Sequence, residues 1–382
     1  MSYLEYRVMQ VPAGWRKILH LNWPMIVVLA ALSGIGLVAL YSVAGGSAVP
    51  WARAQAIRLA VGWAVFFAAA FTPPWFWRSS AGIAWAVGMV LLLAVEVMGA
   101  IGMGAQRWID LGPFRLQPSE VMKVALVLAL AAYYDALPAE RVSRPLWVLV
   151  PLLLIALPAL LILRQPDLGT ALILVGTGAV MMFLAGVSWW YFAPAIAAVA
   201  GSIAAVFASR GTPWQLLKDY QYRRIDVFLD PSLDPLGAGY NITQAKIALG
   251  SGGLSGRGFL QGTQSQLNFV PEKHTDFILT TFAEEFGFVG SLSLLALFAL
   301  LTAMTFAVAW QAQDRFCRLM VAGLGFTFFT YFFVNMGMVT GLLPVVGVPL
   351  PLVSYGGSAA LVIMLAFGLV QSAHVHRPRP RQ

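Results

Sequence analysis

Charge is scarce in this chain: Asp, Glu, Lys and Arg make up 10% of its 382 residues, where a soluble protein carries about a quarter. That shortage excludes a water-soluble globular fold. Cysteine occurs once, at Cys317, so neither an intrachain disulfide nor a cysteine-based metal site is available. Histidine is nearly as rare. Its one close pair, His374 and His376, sits in a basic tail and reads as part of that tail rather than as a ligand set. No metal-ligating cluster is expected. The polar–apolar alternation of a membrane β-barrel is missing. A cleavable export signal is missing too, because the first apolar run, 24–45, is too long and lacks the usual small-residue cleavage site. No nucleic-acid partner is expected.

What abounds is apolar side chain. Hydrophobic residues make up 59% of the chain and mean hydropathy is +0.78. Apolar stretches of about 20 residues, each enough to cross a bilayer as a helix, recur throughout. The reading is an all-α polytopic membrane protein, one membrane domain over 1–382, with ten spans. They lie near 24–44, 54–71, 81–101, 118–135, 145–163, 168–185, 189–208, 278–308, 315–340 and 357–373. The eighth is long enough to tilt, or to raise its first turns above the bilayer. Lysine and arginine set the orientation. With the N-terminus in the cytoplasm, the inner side holds Arg7, Arg16, Lys17, Arg78, Arg141, Arg144, Arg315, Arg318 and the arginines of the tail. The short outer loops hold only Arg53, Arg107, Arg115 and Arg164. Both termini are therefore expected inside.

Between spans seven and eight lies a loop, 209–277, expected to be one large extracytoplasmic unit. Trp214, Tyr222, Ile225, Phe228 and Ile242 argue that it is ordered rather than disordered. NITQAKIAL, 241–249, has helical apolar spacing and stops at Gly250. The glycines from 250 to 262 allow positive φ or close approach to a ligand, or simply form a re-entrant turn. The loop adds Arg210, Lys218, Arg223, Arg224, Lys246, Arg257 and Lys273 to a chain of net charge +8. Two explanations weigh about equally: a site for an anionic headgroup such as pyrophosphate, and general attraction to anionic lipid.

Two more polar clusters face the same side. In RWIDLGPFRLQPSEVMK, 107–123, Pro118 followed by Glu120 reads as a helix start, and Glu120 and Lys123 share one face and can pair. In RQPDLGT, 164–170, Asp167 reads as a helix cap with Arg164 as an ion-pair partner. The segment 340–360 is Pro- and Gly-rich and apolar, as expected of a non-helical strap lining a cavity. The sharpest feature is HTDF, where Asp276 stands at the mouth of an apolar helix. An ionisable group there is costly, hence a functional candidate.

HTDFI with GTQSQLNFVPEK before it, the LQPSE helix start, RQPDLGT and PLPLVSYGGSA together resemble the SEDS family (shape, elongation, division and sporulation) over nearly the whole chain. GTQSQLNF, and the lack of long terminal extensions, are more similar to its RodA branch than to its FtsW branch. The resemblance implies a peptidoglycan glycosyltransferase of the bacterial cytoplasmic (inner) membrane. Such enzymes polymerise lipid II into β-1,4 glycan strands on the outer, periplasmic face for cell elongation. They work with a class B penicillin-binding protein, the crosslinking transpeptidase, among other elongation-complex proteins. The family's essential aspartate falls on Asp276, and its Glu/Lys pair on Glu120 and Lys123.

The residues suit that chemistry. Asp276 is the candidate general base for the acceptor 4-hydroxyl. Gln264, Gln266 and Asn268 are candidates for binding sugar hydroxyls. His274 either tunes Asp276 or packs at the helix entry. An undecaprenyl pyrophosphate leaving group needs cations, for which Arg107, Arg115, Arg164, Arg223, Arg224 and Lys273 are candidates. A divalent cation, Mg2+ or Mn2+, is compatible with the same step. A single displacement inverts the anomeric centre. Glu284 and Glu285 are either part of the site or ordinary paired carboxylates. The rival reading is a lipid II flippase, which would share the substrate but need a matching polar cluster on the inner face; a scaffold for the transpeptidase is a third.

Overall fold

The computed structural model describes residues 14–378, apart from 103–104, 111, 113–114, 235–237, 268 and 270–271. Its long helices, with two shorter ones in the large loop, are α1 (Trp23–Val43), α2 (Trp51–Phe71), α3 (Pro74–Met98), α4 (Pro118–Ala136), α5 (Pro145–Arg164), α6 (Leu168–Ala185), α7 (Trp189–Ala208), α8 (Asp219–Leu229), α9 (Ala238–Ser251), α10 (Ile278–Gln311), α11 (Arg315–Thr340) and α12 (Gly357–Val375). Among the described residues, nine helices are long and apolar enough to cross a membrane. The long helix left out is α4, which carries Glu120, Lys123 and Asp135. Helix starts follow local chemistry. Proline occupies the first turn of α1, α3, α4 and α5, where its missing N–H costs nothing. For this reason α3 begins at Pro74 rather than near 81. Asn22, Asp167 and Asp314 each accept a main-chain N–H at a helix N-terminus.

α11 is the hub, packing on α4, α6, α10 and α12. α2 lies along α12, α3 along α4, and α10 against α1. Close crossings use small residues, as membrane interfaces do: at Gly368 a Cβ would stand 2.6 Å from the carbonyl of Phe66. α7 is peripheral, with no buried residue. Tyr191 ties its start to the Ser143 carbonyl, and the Ser209–Tyr222 hydroxyl pair ties its end to α8. At the end of the bundle away from the large loop, Arg78 bridges Asp135 and Asp314. There Arg315 also donates to the carbonyls of Leu137 and Ala185 at the ends of α4 and α6, a favourable place for a cation.

Two features depart from plain helix-and-loop. A small antiparallel sheet, β1 (Ala100–Gly102), β2 (Ala105–Asp110) and β3 (Arg115–Leu116), fills the α3–α4 connection, with Ile109 opposite Leu116. α10 is broken at Gly287 (φ 66°, ψ −164°), which separates residues 278–286 from the rest. The glycine-rich segment 252–258 seals the break. Arg257 and Gly258 donate main-chain N–H to the carbonyls of Glu284 and Glu285, and Phe288 and Val289 donate to Gly253 and Leu254. A Cβ at Gly256 would collide with the Glu285 carbonyl. The backbone these glycines approach is therefore that of α10.

Candidate active site

Asp276 closes a tight turn, 272–277, at the entry to α10. Three hydrogen bonds fix the turn's main chain. Asn335 of α11 donates Nδ2 to the Asp276 carbonyl at 3.0 Å, Ser354 donates its hydroxyl to the Thr275 carbonyl at 2.6 Å, and Tyr355 donates its N–H to the His274 carbonyl at 2.8 Å. The 341–356 strap thus lies against the turn. A Cβ on Gly347, whose φ of 70° suits glycine, would sit 3.5 Å from Asp276 Oδ2.

The Asp276 carboxyl is partly buried, and its pKa is pushed up to about 6. Loss of hydration is the main cause. The negative charges of Glu272 and Asp167 add to it, and the Arg107 guanidinium opposes it. Arg107 comes from β2 and is held by the turn between α5 and α6, donating Nε to the Gln165 carbonyl at 2.9 Å and Nη2 to that of Pro166. Asp167 caps α6 through the Thr170 N–H at 3.2 Å and accepts from Gln117 Nε2 at 3.1 Å. Its expected partner Arg164 points elsewhere, exposed, and makes no ion pair among the described residues. Gln117 instead supplies the contact that the sequence suggested for Arg164.

His274 stacks on Trp51, ring centroids 4.8 Å apart, and lies 6.0 Å from the Tyr355 ring. Arg58 covers the other aromatic partner, 4.5 Å over Tyr355. His274 thus packs between aromatic rings at the helix entry. Burial lowers its pKa, with Glu272 opposing and Lys273 adding to the fall. Lys273 is buried, which lowers its pKa as well.

Glu120 and Lys123 pair at 2.7 Å, both nearly inaccessible. Tyr331 of α11 completes them, donating its hydroxyl to Glu120 Oε2 at 2.5 Å and meeting Lys123 Nζ. The trio borders a small cavity of about 30 Å³, room for a water. Tyr331 and Asn335 are one helical turn apart, so α11 serves the ion pair and the Asp276 turn together.

The remaining candidates are scattered over the α3–α4 sheet, the large loop and the start of α10. Arg115 is exposed beside Asp110 at 3.6 Å, and Arg223 is exposed with Asp234 at 4.0 Å. Gln264 donates its N–H to Glu284, and Gln266 donates Nε2 to the Leu260 carbonyl. Asn268 and the side chain of Arg224 lie outside the described residues. Glu284 and Glu285 are buried carboxylates: Ser251, Thr263 and Gln264 donate to Glu284, and Ser42 donates to Glu285. Sequence reading missed Asn335, Tyr331, Gln117 and Gln55, whose Nε2 reaches the Ser354 carbonyl at 3.4 Å. For Asn335, Tyr331 and Gln55 the available signal was an amide or hydroxyl isolated in an apolar helix, as in TYFFVNMG.

The comparisons agree with this architecture. The family model described as "Cell cycle protein" (FtsW, RodA, SpoVE) matches residues 22–379. The chain is 45% identical, over 95% of both chains, to "Peptidoglycan glycosyltransferase MrdB" of Escherichia coli K12. It is 33% identical, over 96% of its length and 92% of the relative's, to "Probable peptidoglycan glycosyltransferase FtsW" of Idiomarina loihiensis. Its fold superimposes on a chain from a structure showing the coordination of polymerisation and crosslinking by a peptidoglycan synthase complex, with TM-score 0.79 and 31% identity, covering 93% of this chain and 97% of that one. It also superimposes on the rod shape determining protein RodA of Thermus thermophilus, with TM-score 0.69 and 28% identity, covering 94% of this chain and 97% of that one. This chain is a polytopic membrane protein of the FtsW/RodA/SpoVE family, and its similarity is to the RodA side of it.

Proposed function

We propose that this protein is a peptidoglycan glycosyltransferase that polymerises lipid II for cell elongation, with Asp276 as the general base. The naming of relatives as similar as 45% identical over 95% of the chain supports the activity. The role of Asp276 rests on one observation. Its carboxyl, with a pKa near 6, stands half-sheltered where the α10 entry, the strap and the Arg107 turn meet. At neutral pH such a group is ionised yet basic enough to take a proton from a hydroxyl. The freed oxygen attacks the anomeric carbon of the donor. The bond to the diphosphate breaks, that group departs with the electron pair, and the centre inverts. Arg107, already oriented by two carbonyls and acting on the Asp276 carboxyl, is the cation best placed to receive the charge. The described residues offer no group of three acidic, His or Cys side chains suited to a resident metal. Mg2+ or Mn2+ is accordingly proposed only as a companion of the diphosphate, and no step runs through it.

The site faces the periplasm, the termini face the cytoplasm, and the membrane is the bacterial inner membrane, as the distribution of arginine and lysine supports. The partner is a class B penicillin-binding protein within the elongation complex; the likeness to a chain of a synthase complex that polymerises and crosslinks supports this. A broken helix such as α10 is also what a flippase uses, but here segment 252–258 takes up the freed backbone groups.

The test is polymerisation of labelled lipid II by the purified protein with its cognate transpeptidase, beside Asp276→Ala and Asp276→Asn. Polymer from the parent and none from folded variants is the expected result. Lipid II crossing a vesicle bilayer with no polymer formed would overturn the reading in favour of the flippase.

A further inference from the structure

Trp51, Gln55 and Arg58 stand at positions i, i+4 and i+7 of α2, so they share one face of that helix. Each meets the site through a different contact. Trp51 lies against the His274 ring, with centroids 4.8 Å apart and planes 18° from parallel. Gln55 is wholly buried and grips the strap on both sides of Tyr355. Its Nε2 donates to the Ser354 carbonyl and its Oε1 accepts the Gly356 N–H, each at 3.4 Å. Arg58 lies 4.5 Å over the Tyr355 ring, and that ring is 6.0 Å from the His274 ring. Trp51, His274, Tyr355 and Arg58 thus form an unbroken row of contacts. The row starts and ends on α2 and passes through the Asp276 turn and the strap.

Arg58 is the unexpected member. It sits about two turns inside an apolar helix. Its Nη1 is buried without a hydrogen-bond partner, and it forms no ion pair among the described residues. Arg78 and Arg315, at the other end of the bundle, find carboxylates and carbonyls; Arg58 finds an aromatic face. A guanidinium at this depth is costly, and stacking on the ring offsets part of that cost. The link onward to the base is short. The Tyr355 N–H binds the His274 carbonyl and the Ser354 hydroxyl binds the Thr275 carbonyl, two residues and one residue before Asp276.

We propose that this face of α2 positions the base. Arg58, acting through the Tyr355 ring, and Trp51, acting through the His274 ring, hold the 274–276 main chain where the Asp276 carboxylate can meet its hydroxyl. Both are positioning residues; neither touches the reacting atoms. Asn335 secures the same turn from α11, so the base is held from two helices. The inference rests on the proposed polymerase reading for the reaction that the turn serves. That α2 holds the turn does not depend on it.

The test uses the full chain in nanodiscs. Arg58→Met removes the cation and Arg58→Lys restores one; Trp51→Leu removes the ring and Trp51→Phe restores one. Hydrogen–deuterium exchange is measured first. Arg58→Met and Trp51→Leu should each speed exchange of the 272–277 and 354–356 amides about fivefold, with the α5–α6 turn unchanged. Polymerisation is then measured with the transpeptidase present. Both variants should lower kcat about tenfold and leave the KM for lipid II unchanged. Combined, they should fall little further than the worse single variant, because both act on one turn. Arg58→Lys and Trp51→Phe should recover most of the rate. The acid limb of the pH–rate profile gives a last readout. Glu272, Asp167 and Arg107, whose charges act on Asp276, and the adjacent Lys273 and His274 are all unaltered, so a limb that moves to lower pH in Arg58→Met reports a carboxyl that has gained water. Unchanged exchange of the turn in both Arg58→Met and Trp51→Leu overturns the proposal. Faster exchange with kcat unchanged overturns it too, and so does a raised KM with kcat unchanged, which would put Arg58 in substrate binding. Faster exchange of the turn in a protein whose parent never polymerises would leave α2 holding the turn and sink the polymerase reading instead.

Discussion

Asn335 shares one side-chain amide between the main-chain carbonyls of Asp276, at 3.0 Å, and Val348, at 2.7 Å. The residue is wholly buried in the bundle's hub helix. It therefore joins three segments far apart in sequence: α11, the turn that presents the candidate base, and the strap that roofs it. Tyr331, one turn earlier on the same helix, grips Glu120 and Lys123. Displacing α11 would move the base and the ion pair together.

Replacing Asn335 with Leu keeps the volume and removes the donor. Two buried carbonyls then lose their partner, at a cost of about 1–3 kcal/mol each. The expected outcome is a lower melting temperature and a polymerisation rate that falls by more than the stability loss explains, because Asp276 is no longer held. Thermal unfolding and initial rates on the same nanodisc preparation check this. A variant with lowered stability and an unchanged rate would show that Asn335 is only a packing residue.

The raised pKa of Asp276 gives two pH dependences of opposite sign. For catalysis the base must be ionised, so the rate should climb with pH through about 6 and level off above it, being about tenfold lower at pH 5. For folding, the folded-state pKa lies above the ordinary carboxyl value of 3.8. The stabilisation from this group is then complete below pH 4 and is lost as pH rises through 6. Asp276→Asn removes that loss. It should be more stable than the parent at pH 8, by about 1–3 kcal/mol, show no such gain at pH 4, and form no polymer at either. Unfolding curves and rates from pH 4 to 8 test both halves, and an Asn variant less stable than its parent at pH 8 would contradict the burial argument.

How far the sequence could be read depended on whether a property was local. Apolar runs located the long helices because each run responds to the bilayer on its own. Asp276, Glu120 and Lys123 stood out because charge is rare in such runs. The second tier was hidden. Asn335 and Gln117 carry no charge, and their partners lie 59 and 50 residues away along the chain. Arg164 looked like the partner of Asp167 because they are neighbours in sequence, but the α5–α6 turn points them apart. The glycines of 252–258 suggested a ligand loop. They are small because the α10 backbone passes within contact distance, a fact that only the break at Gly287 explains.

Glu120 and Lys123 offer a test that separates architecture from reaction. Each is buried, and each is the other's counter-charge at 2.7 Å. Lys123→Met alone leaves a buried carboxylate without its cation, which costs about 3–5 kcal/mol. Glu120→Gln with Lys123→Met removes both charges, and uncharged replacements of a buried pair are often neutral in stability. Tyr331 can still donate its hydroxyl to the amide oxygen that Glu120→Gln introduces. The double variant should therefore regain most of the melting temperature lost by Lys123→Met. If the pair only braces α4 against α11, polymerisation returns with stability. Because the trio borders a cavity beside the helix whose start carries Gln117 to Asp167, the expected result is recovered stability with polymerisation still at least about tenfold down. A double variant that is both stable and fully active would reduce the ion pair to a brace.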